Sequence, residues 1–196
     1  MPKEKDHKRD INRQDVLDAA LSEAAQVGWD MMTMRDIAAA CNGTLADVQA
    51  HFTDKFDIAV AFGRHIDALV LQRLADTNDA MLSPRDRLFD VLMARFDVMN
   101  AYRPAIQSMI GAMRVDPKQA LWSAPYLARS MAWMLEQAGM DTTGMRGCAR
   151  VAGITGIYMY AVKTWAEDDS ADMAKTMATL DKALGHAEKW ADKISV

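Results

Sequence analysis

The stretch DIAAACNGTLADVQAHF, residues 36–52, decides the fold, because its spacing predicts two short helices joined by a tight turn. Thr33 is a predicted N-cap with Asp36 three residues later, and Thr44 is a second N-cap with Asp47 in the following turn. The tripeptide CNG supplies the connection between the two helices. This layout is typical of a helix-turn-helix, yet its second half has no Lys or Arg and carries Asp47. Either this segment binds DNA, or it has the shape of a DNA-binding helix-turn-helix without the function.

The bulk composition sets limits on the kind of protein. The chain has 196 residues, 51% of them apolar, which suits one large or two small domains with a substantial core. A formal net charge of -4 provides no global basic field for nucleic acid. Cys41 and Cys148 are far apart in apolar helical contexts, which argues against a disulfide framework or a metal motif. With no apolar run long enough to span a membrane and no signal peptide, we expect a cytoplasmic protein.

The apolar periodicity is helical nearly throughout and predicts an all-α fold of about nine helices. We expect an N-terminal three-helix helix-turn-helix module, whose last helix ends near Phe52, and then a C-terminal helical bundle. A helix is predicted to start at Ser83-Pro84, another to run from Pro125 to Gly139 after a looser connection, and a last one to begin near Ser170. The predicted domains are a tail at 1–10, a helix-turn-helix domain at 11–53, a connecting helix at 54–76, and a ligand-binding and dimerisation domain at 77–196.

Residues 13–65 carry spaced features that agree with one another. VLDAALSEAAQVGWDMMTMRDIAAAC combines an Ala-rich apolar helix, Gly with an aromatic, a Thr N-cap and Ile-Ala, and HFTDKFDIAVAF follows with His-Phe, a polar pair and Lys. This order resembles the TetR family of one-component transcription regulators. Between the two runs the chain departs from the family's usual Gly-Val-Ser-x-Gly-Thr-Leu-Tyr. Thr44 keeps the hydroxyl N-cap and Val48 the apolar anchor, whereas Gln49 replaces the aromatic residue.

The resemblance implies two sets of DNA contacts. The positions where the family contacts phosphates are Thr33, Arg35, Thr44, His51 and Lys55. The positions nearest the base edges are Leu45, Ala46, Asp47 and Gln49. Helix N-termini can accept phosphate oxygens, Gln can pair with adenine, Asp can accept from cytosine, and Leu and Ala can touch thymine methyl groups. Residues 1–65 carry eight basic and eleven acidic residues, a difference of -3, so we expect weak nonspecific binding.

The N-terminal tail contains four basic residues, Lys3, Lys5, Lys8 and Arg9. They could form a flexible arm that reaches the minor groove of DNA. They could equally belong to a solubilising tail, and the acidic residues interleaved with them favour this second interpretation.

The C-terminal half is rich in Met and aromatic residues at helical spacing. The candidate lining of an apolar ligand pocket is Met93, Phe96, Met99, Tyr102, Met109, Met113, Trp122, Tyr126, Trp133, Met134 and Tyr158. Few charges interrupt this set apart from Arg95 and Arg114, which suits a small hydrophobic effector held mostly by shape with one or two polar anchors. The alternative is an ordinary bundle core.

A stripe of small residues marks the helix predicted at about 146–165. Gly is costly inside a helix, so small residues there indicate close approach of another backbone. In TetR-like regulators the last two helices form the dimer interface. The candidate interface residues are Ala149, Ala152, Gly153, Gly156, Tyr160, Trp165, Met177, Leu180 and Leu184. The alternative is close packing within one subunit.

The last thirty residues carry a second resemblance. The residues that carry it are Trp165, Asp168, Ser170, Thr176, Leu180 and Asp181. Their arrangement resembles the terminal segment of a TetR-fold family of lipid-binding proteins in ubiquinone biosynthesis, and it also occurs in a branch of TetR-like regulators. A local account is that Ser170 caps the last helix beside acidic residues that suit its N-terminus.

The sequence has no phosphate-binding glycine loop, no metalloprotease or hydrolase motif, and four scattered His residues, so we expect neither an enzyme nor a cofactor. The leading hypothesis is a homodimeric, ligand-responsive TetR-like regulator, a repressor that binds a palindromic DNA operator and is modulated by a small hydrophobic effector. The alternative is a TetR-fold lipid- or quinone-binding protein that no longer binds DNA. Neither hypothesis involves a membrane.

Overall fold

The computed structural model describes residues 10–75 and 81–194, and every regular element within them is an α-helix. These described residues form nine helices: α1 Arg13–Gln26, α2 Met34–Ala40, α3 Leu45–Gln49, α4 Lys55–Arg73, α5 Pro84–Asn100, α6 Arg103–Val115, α7 Pro117–Gln137, α8 Gly144–Ala166 and α9 Ala174–Ile194. The predicted all-α fold of about nine helices is confirmed. The basic residues of the predicted tail and the predicted end of the connecting helix at residue 76 lie outside the described residues.

The described chain divides into two compact units. The N-terminal unit contains residues 10–61 together with Pro104–Ala112 from α6. The C-terminal unit contains residues 62–75, 81–103 and 113–194. The domain boundaries predicted from the sequence stay predictions.

The helix-turn-helix forms because each helix has a cap and the turn between them has the backbone freedom it needs. Thr33 and Thr44 are the N-caps of α2 and α3, as the sequence predicts. Asn42 has a φ of 57°, in the left-handed region, and allows the chain to reverse after α2. At the next position, Gly43, an added Cβ would meet the end of the Ile11 side chain, which would have to shift. Ile37 on α2 is fully buried and anchors the motif.

Three predicted helix limits differ from the structure. α3 ends at Gln49 rather than near Phe52, because the backbone amides of His51 and Phe52 both turn back to the carbonyl of Val48. α7 begins at Pro117, where the Asp116 carboxylate caps the backbone amide of Lys118 at 3.1 Å.

Pro125, predicted to start a helix, therefore lies inside α7. α9 begins at Ala174 rather than Ser170, although the Ser170 hydroxyl accepts from the Ala174 amide at 3.0 Å and so caps its start. The predicted start of α5 at Ser83 and Pro84 is confirmed, since the Ser83 side chain accepts from the Asp86 amide.

The core of the C-terminal unit is built from large apolar side chains of α5, α7, α8 and α9. Phe96 is fully buried, and its ring stacks on Tyr158 at 5.5 Å and on Trp165 at 6.2 Å between centroids. Met134 and Leu180 are also fully buried. This packing fixes the position of α8 against α5, which is where the polar groups described below meet.

Candidate nucleic-acid interface and buried polar cluster

The short helix α3 presents an open surface. Thr44, Leu45, Ala46 and Gln49 are all exposed, and Leu45 leaves 47% of its surface accessible although it is apolar. Val48 on the opposite side is fully buried and holds the helix to the unit. Four of the side chains predicted to contact DNA are therefore available to a partner.

Asp47 has a structural partner of its own. Its carboxylate accepts from the Thr44 backbone amide and the Thr44 hydroxyl, each at 2.7 Å, while the Thr44 hydroxyl accepts from the Asp47 amide at 3.3 Å. This is a reciprocal capping box. Asp47, which as an acidic residue argues against DNA binding, thus helps to cap the start of α3, and this structural role is an alternative to its predicted contact with bases.

The same arrangement starts α1 and α2. Asn12 pairs with Asp15, and Thr33 pairs with Asp36, whose carboxylate accepts from the Thr33 amide at 2.8 Å. The hydrogen bonds from Thr33 hold the pKa of Asp36 below its usual range. Because these carboxylates occupy helix-end amides, the N-termini of α2 and α3 offer fewer free donors to phosphate than the sequence predicted.

Lys55 differs most from its predicted role. Its Nζ donates to the carbonyl oxygens of Trp29 at 2.8 Å, Met32 at 3.0 Å and Asp30 at 3.3 Å. An ammonium group has three N–H donors, so all of them are directed at the loop between α1 and α2. Lys55 was predicted to contact phosphate; in the structure it clamps this loop, which leads directly into Thr33.

His51 is also engaged inside the unit. Its Nε2 lies 2.8 Å from the carbonyl oxygen of Ile11, which can only accept, so the ring nitrogen is the donor. The ring is half-buried and fastens the segment after α3 to the start of α1. The predicted phosphate contact of His51 therefore competes with this bond.

Two cations of the N-terminal unit remain at its surface. Arg35 is exposed on α2, and the guanidinium of Arg13 lies 4.4 Å from the centroid of the Phe52 ring. Across residues 10–61 there are three basic residues against nine acidic ones, a difference of -6. Any DNA contact of this unit must therefore depend on a few placed groups and on shape rather than on a basic field.

The residues predicted to line a pocket do not form one group. Phe96, Met99, Met134 and Tyr158 are buried together in the C-terminal unit, and Met93, Tyr102 and Met113 are half-buried. Met109 is buried but belongs to the N-terminal unit. Trp122, Tyr126 and Trp133 lie on the exposed face of α7, with 67% of Trp122 accessible. The buried side of α7 is formed instead by residues such as Met131 and Leu135.

Four polar side chains from four helices meet inside the C-terminal unit, and we call them the polar cluster: Asp67 of α4, Arg95 of α5, Ser130 of α7 and Tyr158 of α8. Arg95 forms an ion pair with Asp67, and its Nε donates to the Tyr158 hydroxyl at 3.0 Å. Ser130 donates to Asp67 at 2.5 Å. All four residues are at least nine-tenths buried.

The electrostatics of the polar cluster follow from its burial. Burial disfavours the charge of Arg95, but Tyr158 and Asp67 outweigh this cost and hold the pKa of Arg95 above its ordinary value. Tyr158 in turn donates its hydroxyl proton to the Met99 thioether sulfur at 3.0 Å. Arg95 and Tyr158 were identified from the sequence, whereas Asp67 and Ser130 were not. A readable signal existed, since Asp67 lies beside Ile66 and one turn from Val70 in the apolar stripe of α4.

Five of the residues predicted for the dimer face are exposed on α8, and their role in a dimer stays a prediction. Ala149, Ala152, Gly153, Gly156 and Tyr160 are exposed along α8, and a Cβ at Gly153 or Gly156 would meet no atom within 4 Å. The alternative of close packing within one subunit is therefore excluded for these two glycines. Next to Tyr160 a surface groove of about 450 Å³ is lined by Tyr160, Ala178, Thr179, Lys182, Ala183 and His186.

Three residues of the predicted interface are instead core residues of the subunit. Trp165 and Leu180 are fully buried and Leu184 is 4% exposed, so they hold α8 and α9 to the rest of the unit. Met177, by contrast, is 42% exposed and remains on the open face.

The segment that carried the second resemblance has a structural explanation. The Asp168 carboxylate accepts from the amide and the hydroxyl of Thr176, each at 2.8 Å, and from Ser170. The Trp165 indole donates to Asn100 at 2.9 Å, and Arg103 donates to the carbonyls of Trp165 and Asp168. These bonds fix the turn between α8 and α9. The resemblance to lipid-binding proteins stays a prediction.

The capped helix-turn-helix and the helices that follow it in sequence can be compared with known proteins. No family model matches the sequence, and no curated protein matches it. Several solved structures do match the chain. A TetR transcriptional regulator from Nitrosomonas europaea superposes with a TM-score of 0.73 at 21% identity, covering 90% of this chain and 97% of that one. A TetR transcriptional regulator from Rhodococcus sp. gives 0.66 at 15% identity, covering 88% and 93%.

The chain therefore has the TetR-type fold. No helix among the described residues is both long enough and apolar enough to cross a membrane.

Proposed function

We propose that this protein is a cytoplasmic, homodimeric transcriptional regulator of the TetR type, a repressor that binds a palindromic operator and responds to a small apolar effector. The observation that carries the proposal is the exposed face of α3, whose side chains are free of the packing that buries Val48. A helix that is anchored on one side and open on the other suits insertion into a major groove.

The proposed reading of DNA rests on few groups. Gln49 would pair with adenine, and Leu45 and Ala46 would contact thymine methyl groups. Thr44 and the exposed Arg35 would contact phosphates and fix the register of the helix on the duplex. Lys55 would act indirectly, since it holds the loop that precedes α2.

The proposed dimer uses the open face of α8 and the adjoining side of α9. Gly153 and Gly156 leave backbone uncovered, which allows a second helix to approach closely. Exposed Met159 and Tyr160 flank these glycines and would be buried in the dimer. Two recognition helices related by a two-fold axis must match half-sites about 34–36 Å apart.

The proposed effector binds in the Met-rich core of the C-terminal unit and changes the position of α4, so that the spacing of the two recognition helices no longer fits the operator. The alternative, a lipid- or quinone-binding protein without DNA binding, is not favoured by the regulators that share this fold.

The test is DNase footprinting of the full chain over the region upstream of its own gene, at low and at moderate salt. We expect protection of a palindrome that fades as salt rises. Gln49→Ala should weaken binding most at sites with adenine at one position, whereas Thr44→Ala should weaken all sites equally. Absence of protection at low salt would refute the proposal.

A further inference from the structure

Outside the proposed DNA-binding surface, the buried Tyr158 hydroxyl donates its proton to a weak acceptor, the Met99 sulfur. We propose that the polar cluster is the anchor of the effector site and that it selects an apolar, uncharged molecule with a carbonyl oxygen, which accepts the Tyr158 proton in place of Met99. This rests on the proposed function in one respect, since it names the ligand class of a ligand-responsive protein.

The chemistry of the partners fixes the direction of the two hydrogen bonds at the Tyr158 hydroxyl. Arg95 has no acceptor, so its Nε must donate to the Tyr158 oxygen, and the Tyr158 proton is left for another acceptor. That acceptor is the Met99 sulfur at 3.0 Å. A thioether is a weak acceptor, and a carbonyl oxygen is a much better one. The bond from the charged Arg95 also polarises the hydroxyl and strengthens it as a donor.

The polar cluster holds one positive and one negative group, Arg95 and Asp67. Asp67 neutralises Arg95 within the polar cluster, and Ser130 adds a hydrogen bond to the Asp67 carboxylate. A ligand carboxylate would place a second negative charge beside Asp67 in a buried core that holds a single guanidinium. A ligand cation would face Arg95. Because an uncompensated buried charge is costly, the arrangement favours a ligand without charge.

The side chains around the Tyr158 hydroxyl are apolar and include several methionines. Phe96 stacks on the Tyr158 ring, and Met131 and Met134 are fully buried on α7 next to Ser130. Methionine side chains are flexible and repack around irregular apolar shapes, so Met99 can leave the hydroxyl while its neighbours adapt. An apolar body with one carbonyl oxygen fits both the polar and the apolar part of this site.

The test measures ligand binding to the full chain by calorimetry without DNA, so that it is independent of operator binding. The probes are 2-acetylnaphthalene, its hydrocarbon analogue 2-isopropenylnaphthalene and the anion 2-naphthoate, together with the smaller trio of acetophenone, α-methylstyrene and benzoate. We expect each ketone to bind about tenfold more tightly than its hydrocarbon analogue, the ratio given by one net hydrogen bond, and the anions to bind most weakly.

Two variants should change this preference in opposite directions. Tyr158→Phe removes the donor, so ketone and hydrocarbon should bind equally. Met99→Leu removes the competing acceptor at similar volume, so the ketone should bind several-fold more tightly. Tyr126→Phe, on the exposed face of α7, is the matched control and should leave the preference unchanged.

The outcomes separate the inference from the proposed function. Failure of both ketones to bind, or a ketone preference that survives Tyr158→Phe, would overturn the inference and leave footprinting to decide the function. If Tyr158→Phe does not fold, Met99→Leu and the NMR signal of a ¹³C-labelled Met99 methyl group still decide, because the ketone should shift that signal differently from its hydrocarbon analogue, which carries the same ring but cannot accept the Tyr158 proton. An unshifted signal on ketone binding would also overturn it.

Discussion

Lys55→Met separates a structural role of this lysine from a DNA-contacting one. The change keeps the aliphatic stem and removes three donors to the carbonyls of Trp29, Asp30 and Met32. Two of these bonds are 3.0 Å or shorter and partly buried, and the third is longer and exposed. A hydrogen bond to a charged group contributes about 1.5–3 kcal/mol net, so we count two bonds, discount for exposure, and expect the free energy of unfolding to fall by about 2–4 kcal/mol.

The assay combines urea unfolding with the salt dependence of operator binding. The matched control is Arg35→Met, an exposed cation whose electrostatic neighbour is the exposed Asp36, and this change should alter the free energy of unfolding by less than about 0.5 kcal/mol. Each neutralised phosphate contributes about 0.9 to the slope of log K against log salt, so the loss of one contact per subunit lowers a dimer's slope by about 1.8. We expect Arg35→Met to lower the slope of log K against log salt by this amount and Lys55→Met to leave the slope unchanged. A stable Lys55→Met protein with the reduced slope would refute the assignment.

Three further predictions follow from other contacts. Asp47→Asn keeps a cap acceptor and removes a negative charge, so affinity should rise equally at all sites in a randomised-operator selection; a changed preference at one base would make Asp47 a reader. Gly156→Arg should block the open face of α8 and give monomers in sedimentation equilibrium, whereas Asp169→Arg in the exposed turn should stay dimeric. Burial of Asp168 opposes its charge, but hydrogen bonds from Ser170 and Thr176 outweigh the effect of burial and lower the pKa of Asp168. The ionised Asp168 therefore stabilises the fold above the pKa of about 4 that it has in the unfolded chain, and this stabilisation is lost as the pH falls below that value. Asp168→Asn should therefore flatten the loss of stability measured by urea unfolding below about pH 4.

The parts of the fold that were predictable from sequence are those set by local chemistry. Thr33 and Thr44 could be identified as caps because a hydroxyl followed by a carboxylate at the third position satisfies helix-end donors within one turn. Pro84 marked the start of α5 for a similar reason, since its missing amide costs nothing in the first turn. Pro125 misled the same reasoning. The cap at Asp116 and the apolar stripe of α7 decide its limits, and a single lost hydrogen bond does not.

The parts that were not predictable depend on groups distant in sequence. The acceptors of Lys55 are backbone carbonyls about 25 residues earlier, and no residue pattern marks a carbonyl as unsatisfied. Trp165 and Leu180 were assigned to the dimer face because they lie on the last two helices, which form the interface in the family that the sequence resembles, and these helices have apolar residues on more than one side. Periodicity identifies such sides but not which one the subunit itself covers.

The charge of the N-terminal unit has a consequence for the proposed binding to DNA. Nonspecific affinity comes almost entirely from neutralised phosphates, and Arg13 and Arg35 are the exposed cations that the described unit offers. Even if both arginines of each subunit contact DNA, these residues of a dimer neutralise about four phosphates, and the slope of log K against log salt would be about -3.6. Apolar and amide contacts from α3 are insensitive to salt and remain at specific sites. If the chain binds an operator as proposed, its acidic residues should weaken binding to random DNA more than binding to the operator, which would raise the ratio of specific to nonspecific affinity at the expense of absolute affinity.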